Sequence, residues 1–144
     1  MKALIKKVEE GPSDMPYDYW ILGQLKSGIE IEIRDYDNFD LRDNTNQWID
    51  CLLIANNLVI LSSFTSSPHI FEGKFLGRYP LPPKWENHRK NLIDEDFYAI
   101  KILDGIIIGL YKTFEKMSKG MSIEKGKNII VKILSFGLVA WKPL

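Results

Sequence analysis

One cysteine and two histidines in 144 residues leave little room for metal or thiol chemistry. Cys51 alone excludes an internal disulfide, and a reducing compartment, the cytoplasm, is the expected location. A structural zinc site wants four nitrogen or sulfur ligands, whereas His69, His88 and Cys51 are the whole supply and none sits at zinc spacing. No metal and no cofactor is therefore expected. Long apolar runs are missing as well. The longest, FYAIKILDGIIIGLY, is broken by Lys101 and Asp104 and falls short of the roughly 20 apolar residues of a membrane helix. The opening MKALIKKVEEGPSDMPYDYW has neither an extended apolar core nor a small-residue cleavage site, so no signal peptide is expected. Catalytic motifs are equally scarce. There is no G-x-S-x-G, and KGMSIEKGK has glycines and lysines without the order of a phosphate-binding loop. Cys51 lies inside an apolar run, where a buried, inert thiol is the usual outcome. Enzymatic function is the weakest class that the residues support.

What is present is ordinary globular composition, with 45% apolar and 26% charged residues and a net charge of zero. The expected unit is one domain over residues 1–144, long enough to bury a core without a metal or disulfide. The charge is unevenly spread. Residues 1–70 carry 6 Lys/Arg and 11 Asp/Glu, and residues 71–144 carry 13 and 8. Compositional drift accounts for this, and a bipolar surface suited to a charged partner is the functional alternative. The acidic stretch DYDNFDLRDN fails as an EF-hand loop. Phe39 stands at the fifth position, Asp40 where glycine is needed and Asn46 where a bidentate glutamate belongs. A solvated loop of Asx turns is the expectation there.

Strand patterning dominates. In IEIEIRDY, Ile29, Ile31 and Ile33 face one way and Glu30, Glu32 and Arg34 the other, the period of a half-buried strand. Three hairpins are expected: one across residues 18–36 turning at Lys26-Ser27-Gly28, one in WIDCLLIANNLVILSSF turning at Asn56-Asn57, and one in FYAIKILDGIIIGLYK turning at Asp104-Gly105. NIIVKILSFGLVAW reads as one long strand that bends at Gly137, and residues 2–8 as a strand at the start. Short helices are expected after Pro82-Pro83 and in TFEKMSKG, where Phe114 and Met117 share a face and Gly120 stops the turn. The sum is a mainly β chain: an antiparallel barrel or sandwich of about eight or nine strands with one or two short helices.

The chain also echoes itself. YWILGQLKSGIEIEI, an excursion and WIDCLLIANN run parallel to FYAIKILDGIIIGLY, an excursion and IIVKILSFG. The second copy, ending in GMSIEKGKNIIVKI, resembles the later half of an OB-type small barrel over residues 70–142. The resemblance implies a barrel whose strand face and loops hold extended ligands, and leaves the ligand open.

Residues 71–79, FEGKFLGRY, pose the sharpest question. Phe71, Gly73, Phe75, Gly77 and Tyr79 alternate with charged residues, as in a base-stacking platform or as in the inward face of a barrel. The glycines on the aromatic face argue for core, because small barrels alternate small and large inward residues. Binding is then expected on the opposite face and in PLPPKWENHRKN, through Lys74, Arg78, Trp85, His88, Arg89 and Lys90. Trp and Arg are enriched at interface hot spots; the alternative for this segment is a Trp ring tucked onto the barrel beside a solvated basic helix. The leading expectation is a non-enzymatic module that binds a protein partner, of inhibitor, adaptor or immunity type. A single-stranded nucleic-acid module is the alternative, and a metal-dependent hydrolase using the Asp35–Asp43 loop the third.

Overall fold

The computed structural model describes residues 1–11, 18–88 and 96–144, with the backbone alone at 86–88. Ten strands form one continuous sheet. They are β1 (Lys2–Glu10), β2 (Tyr19–Leu25), β3 (Glu30–Asp35), β4 (Trp48–Asn56) and β5 (Val59–Leu61), then β6 (Ile70–Arg78), β7 (Phe97–Ile102), β8 (Gly105–Leu110), β9 (Asn128–Lys132) and β10 (Ser135–Pro143). One helix, α1 (Tyr111–Met117), and 3-10 turns at Leu41–Asn44 and Pro83–His88 complete the described elements. The mainly β expectation holds, with a strand or two more than expected.

Pairing follows β1–β2–β3–β10–β4 and returns from β4 to β1, which closes a five-stranded barrel. A second circuit runs β6–β7–β8–β4 and then along the chain into β5, which pairs β9, which pairs β6. The two circuits are built alike. In each, the first strand pairs antiparallel with the second across a register shift, between Ile5 and Lys7 in β1 and between Phe75 and Gly77 in β6. In each, the third strand lies parallel to a strand lent by the other half, β3 to β10 and β8 to β4. The internal echo is thus a repeat of topology, and β4 and β10 cross antiparallel where the halves exchange. The barrel that closes fully uses β1–β4 with β10, and of these strands only β10 lies in the segment that carried the small-barrel resemblance.

Four local expectations need correction. WIDCLLIANNLVILSSF is not a hairpin: β4 pairs with β1, β8 and β10, and β5 pairs with β9. Asn57 does take a left-handed φ of 53°, but it redirects the chain onward into the other half. The β7–β8 turn consists of Leu103 and Asp104, with Ile102 opposite Gly105, one residue earlier than the Asp-Gly pattern suggests. The last strand breaks between Lys132 and Ser135 and shifts register between Leu138 and Ala140, so Gly137 is not the kink. A Cβ there would lie 2.8 Å from Ile54 Cγ2, so its role is close approach at the strand crossing. Finally, Asp35 is not solvated; it points inward with Ile31 and Ile33 and is fully buried.

Phe71 and Phe75 are core, each 4% exposed. Phe75 stacks on Phe114 of α1 with centroids 4.5 Å apart, beside Tyr98. Gly73 makes the space: a Cβ there would lie 2.8 Å from Ile100 Cγ2. The strict alternation ends at the bulge, where Gly77 adopts φ 72° and Leu76 and Tyr79 turn to a second apolar cluster. That cluster joins Leu52, Ala99, Ile108 and Val139 under Leu81 and Trp85. It exists because β7, β8 and β10 are apolar on both faces, so the outer face needs a cover, and the proline-bounded segment at 80–85 supplies one.

Candidate functional site: a cleft between the hairpin tips

The equivalent hairpins of the two halves, β2–β3 and β7–β8, meet at their tips. Lys26, Ser27 and Gly28 form a three-residue turn closed by a bond from the Gly28 amide to the Leu25 carbonyl, with Gly28 at φ 93°. From that turn the Ser27 amide donates to Asp104 Oδ1 at 2.8 Å and the Ser27 hydroxyl to Oδ2 at 2.7 Å. Beside this clasp opens a cleft of about 590 Å³, within the range of small-molecule sites. β4 contributes Asp50, Cys51 and Leu52, the segment after β6 contributes Tyr79, Pro82, Lys84 and Trp85, and β8 contributes Gly105 and Ile106. Met1, Lys2, Lys26 and Asp104 complete its wall. Gly105 lets the tip close on the start of β1, since a Cβ there would lie 3.3 Å from Met1 Cβ.

The apolar part of the cleft is backed by a buried ring. Trp85 is 3% exposed, with Lys84 Nζ 4.9 Å and Lys142 Nζ 5.4 Å from its ring centroid. The polar part is asymmetric in charge. Asp50 accepts from Lys84 Nζ at 2.9 Å and from the Met1 amine at 3.2 Å. Partial burial pushes the Asp50 carboxyl up, but the Lys84 bond and the amine outweigh it and hold it below the usual carboxylate range. Asp104 is occupied by Ser27. Lys2 and Lys26 are exposed and have no ion-pair partner among the described residues. Cys51 lies behind the cleft wall, donating to the Met1 carbonyl at 3.4 Å; burial drives its thiol up to about 12. It is no nucleophile at neutral pH.

Of the six residues expected to carry binding, Trp85 alone among the described ones reaches this cleft. Lys74 is exposed on β6 opposite Lys101. Arg78 bonds Asp96 at 2.9 Å and lies 4.3 Å over the Tyr111 ring. Only the backbone of His88 is described, and Arg89 and Lys90 fall outside the described residues. Lys2, Lys26, Asp50, Tyr79 and Asp104 were not among the expected binding residues. No local motif marks them, because they come from separate strands and turns that only the topology assembles.

The acidic loop does not form a metal cradle. The Asp35 carboxylate accepts from the Phe39 and Asp40 amides at 3.1 and 2.9 Å; burial raises its pKa, and these bonds partly offset the rise. Asp40 forms a two-pronged pair with Arg42, at 2.7 and 2.6 Å. Asn38, Asp40 and Asn46 take left-handed φ angles, as small polar side chains allow. Among the described residues no group of three or more His, Cys, Asp and Glu could hold a metal. Two carboxylates of the hydrolase alternative, Asp35 and Asp40, are thus engaged in loop structure.

No protein-family model matches the chain, and no curated protein does. Among solved structures, the fold is similar to that of the cytoplasmic molybdate-binding protein ModG, crystallised with molybdate bound. The TM-score is 0.51 at 10% identity, over 99% of this chain and 94% of that one. At this identity the likeness is one of fold. That protein's ligand is a small oxyanion, not a protein partner of the kind expected here. The expectation of a protein-binding module anchored on Trp85 is corrected by the geometry: at 3% exposure the ring has almost no surface left for a partner to bury. The described residues thus form a small β-barrel fold with a ligand-sized cleft where its two halves meet.

Proposed function

We propose that the protein binds a small molecule in the cleft between the hairpin tips. The observation that carries the reading is the cleft itself, about 590 Å³, with the half-buried Tyr79, Pro82 and Ile106 on its apolar side, backed by the buried Leu52 and Trp85, and a polar rim. Such a combination of apolar lining and a few placed polar groups is the usual character of a small-ligand site. The fold's likeness to a molybdate-binding protein supports the same class of function, and that protein's location agrees with a cytoplasmic one here. Among the described residues no helix is long and apolar enough to cross a membrane.

The test is a thermal-melting screen of a small-molecule panel that includes molybdate. A ligand at about 100 times its Kd stabilises the folded state by about 2.7 kcal/mol, which is readily measured. Ile106→Arg, which places a long side chain in the cleft, is expected to abolish the shift given by any true ligand. Leu103→Arg, at the 90% exposed tip beside it, is expected to leave the shift intact. Shifts that survive Ile106→Arg, or a panel that yields none, would refute the reading.

A further inference from the structure

We infer that the ligand is an organic anion, its charged end held by Lys2, Lys26 and Lys84 and its apolar body laid against Tyr79 and Ile106. The inference rests on the cleft reading and adds the chemical class.

Charge decides the first half. Three lysines and two carboxylates line the cleft. Both carboxylates are already engaged within the protein: Asp104 by the Ser27 amide and hydroxyl, Asp50 by Lys84 and the Met1 amine. A cationic ligand would have to share oxygens that already accept from these donors. Lys2 and Lys26 keep their three ammonium donors free of any ion-pair partner among the described residues, so an anion meets open donors at no such cost. Lys84 is tied to Asp50 at 2.9 Å, but an ammonium with three donors serves two acceptors at once.

Size decides the second half. A volume of about 590 Å³ lies well inside the range of sites that take drug-sized ligands, roughly 300–1,000 Å³. A bare tetrahedral oxyanion fills only a small part of that, and the rest of the wall is apolar. An anion without a body would leave Tyr79, Pro82 and Ile106 facing water, while one with a body buries them and gains from it. The fit is therefore to an amphipathic anion, in contrast to the bare molybdate of the protein with the similar fold.

The experiment compares 1-naphthyl phosphate, 2-naphthol, inorganic phosphate and molybdate by titration calorimetry and by melting. Naphthyl phosphate is expected to bind most tightly. Lys2→Gln and Lys26→Gln, both at exposed positions that leave folding intact, should each weaken it about tenfold, the scale of one charge-assisted hydrogen bond. Tyr79→Ala should weaken it as well and leave inorganic phosphate unchanged. If 2-naphthol binds as tightly and is lost in Ile106→Arg, the cleft is a small-molecule site but the charge assignment is overturned. If phosphate or molybdate alone binds as tightly as the naphthyl ester, the size assignment is overturned. Binding of naphthyl phosphate that both lysine variants leave unchanged places it elsewhere and overturns the inference. If none of the four binds, the inference and the cleft reading both fall.

Discussion

Truncating Phe75 to alanine tests whether the aromatic face of FEGKFLGRY is core. The ring is 4% exposed and stacked on Phe114 at 4.5 Å, with planes 13° apart. Tyr98 lies 6.3 Å away on the next strand and itself packs on Phe114 at 4.6 Å. Burial and cavity formation together cost about 3–5 kcal/mol for a buried Phe→Ala change. Two features put this site in the upper part of that range. The lost aromatic pair adds its own geometric contribution, about 0.5–1.5 kcal/mol. The neighbours are also held from both sides, Tyr98 by the β6–β7 and β7–β8 ladders and Phe114 by a helix packed on β7 and β8, so the hole cannot collapse. At about 2–4 °C per kcal/mol for a chain of roughly this size, melting should fall by about 10–15 °C. The assay is urea denaturation and thermal melting by circular dichroism. Lys74→Ala, the neighbouring outward position, serves as control and should stay within about 0.5 kcal/mol of wild type. A Phe75→Ala protein that melts with the wild type would show that the ring packs against nothing, and the core assignment of this face would be wrong.

Other outcomes follow from the same packing. Gly109→Ala should destabilise by more than about 1 kcal/mol, because a Cβ there collides with the Tyr98 ring; partial relief in the double variant with Tyr98→Ala, seen by denaturation, would locate the clash. Cys51, buried with its thiol raised to about 12, should resist iodoacetamide at pH 8 in the native protein and react fully in urea, as read by mass spectrometry. Ending the chain after Leu134 removes β10 and should open the first barrel, so amides of β3 should exchange faster than those of β6, which hydrogen exchange can resolve.

Period-two alternation was enough to place most strands. IEIEIRDY, the opening strand and the β2–β3 and β7–β8 hairpins were legible because alternation and turn chemistry are local properties of the chain. The inward aromatic face of β6 was legible for the same reason, up to the bulge at Gly77, where an extra residue reverses the faces. The tertiary structure decided everything that depends on which strands find each other. The Asn56-Asn57 turn has the chemistry of a hairpin, yet β5 pairs with β9, because each half takes its final strand from the other and that exchange has no local mark. Trp85 shows the same division. Its setting in the sequence allows both an exposed anchor and a ring tucked onto the barrel; the two-sided apolar strands β7, β8 and β10 need a cover, and the ring is part of it. The cleft lies furthest from sequence reach. Lys2, Lys26, Asp50 and Asp104 are separated by up to about a hundred residues, and only the pairing of two like hairpins across the strand exchange brings them to one wall.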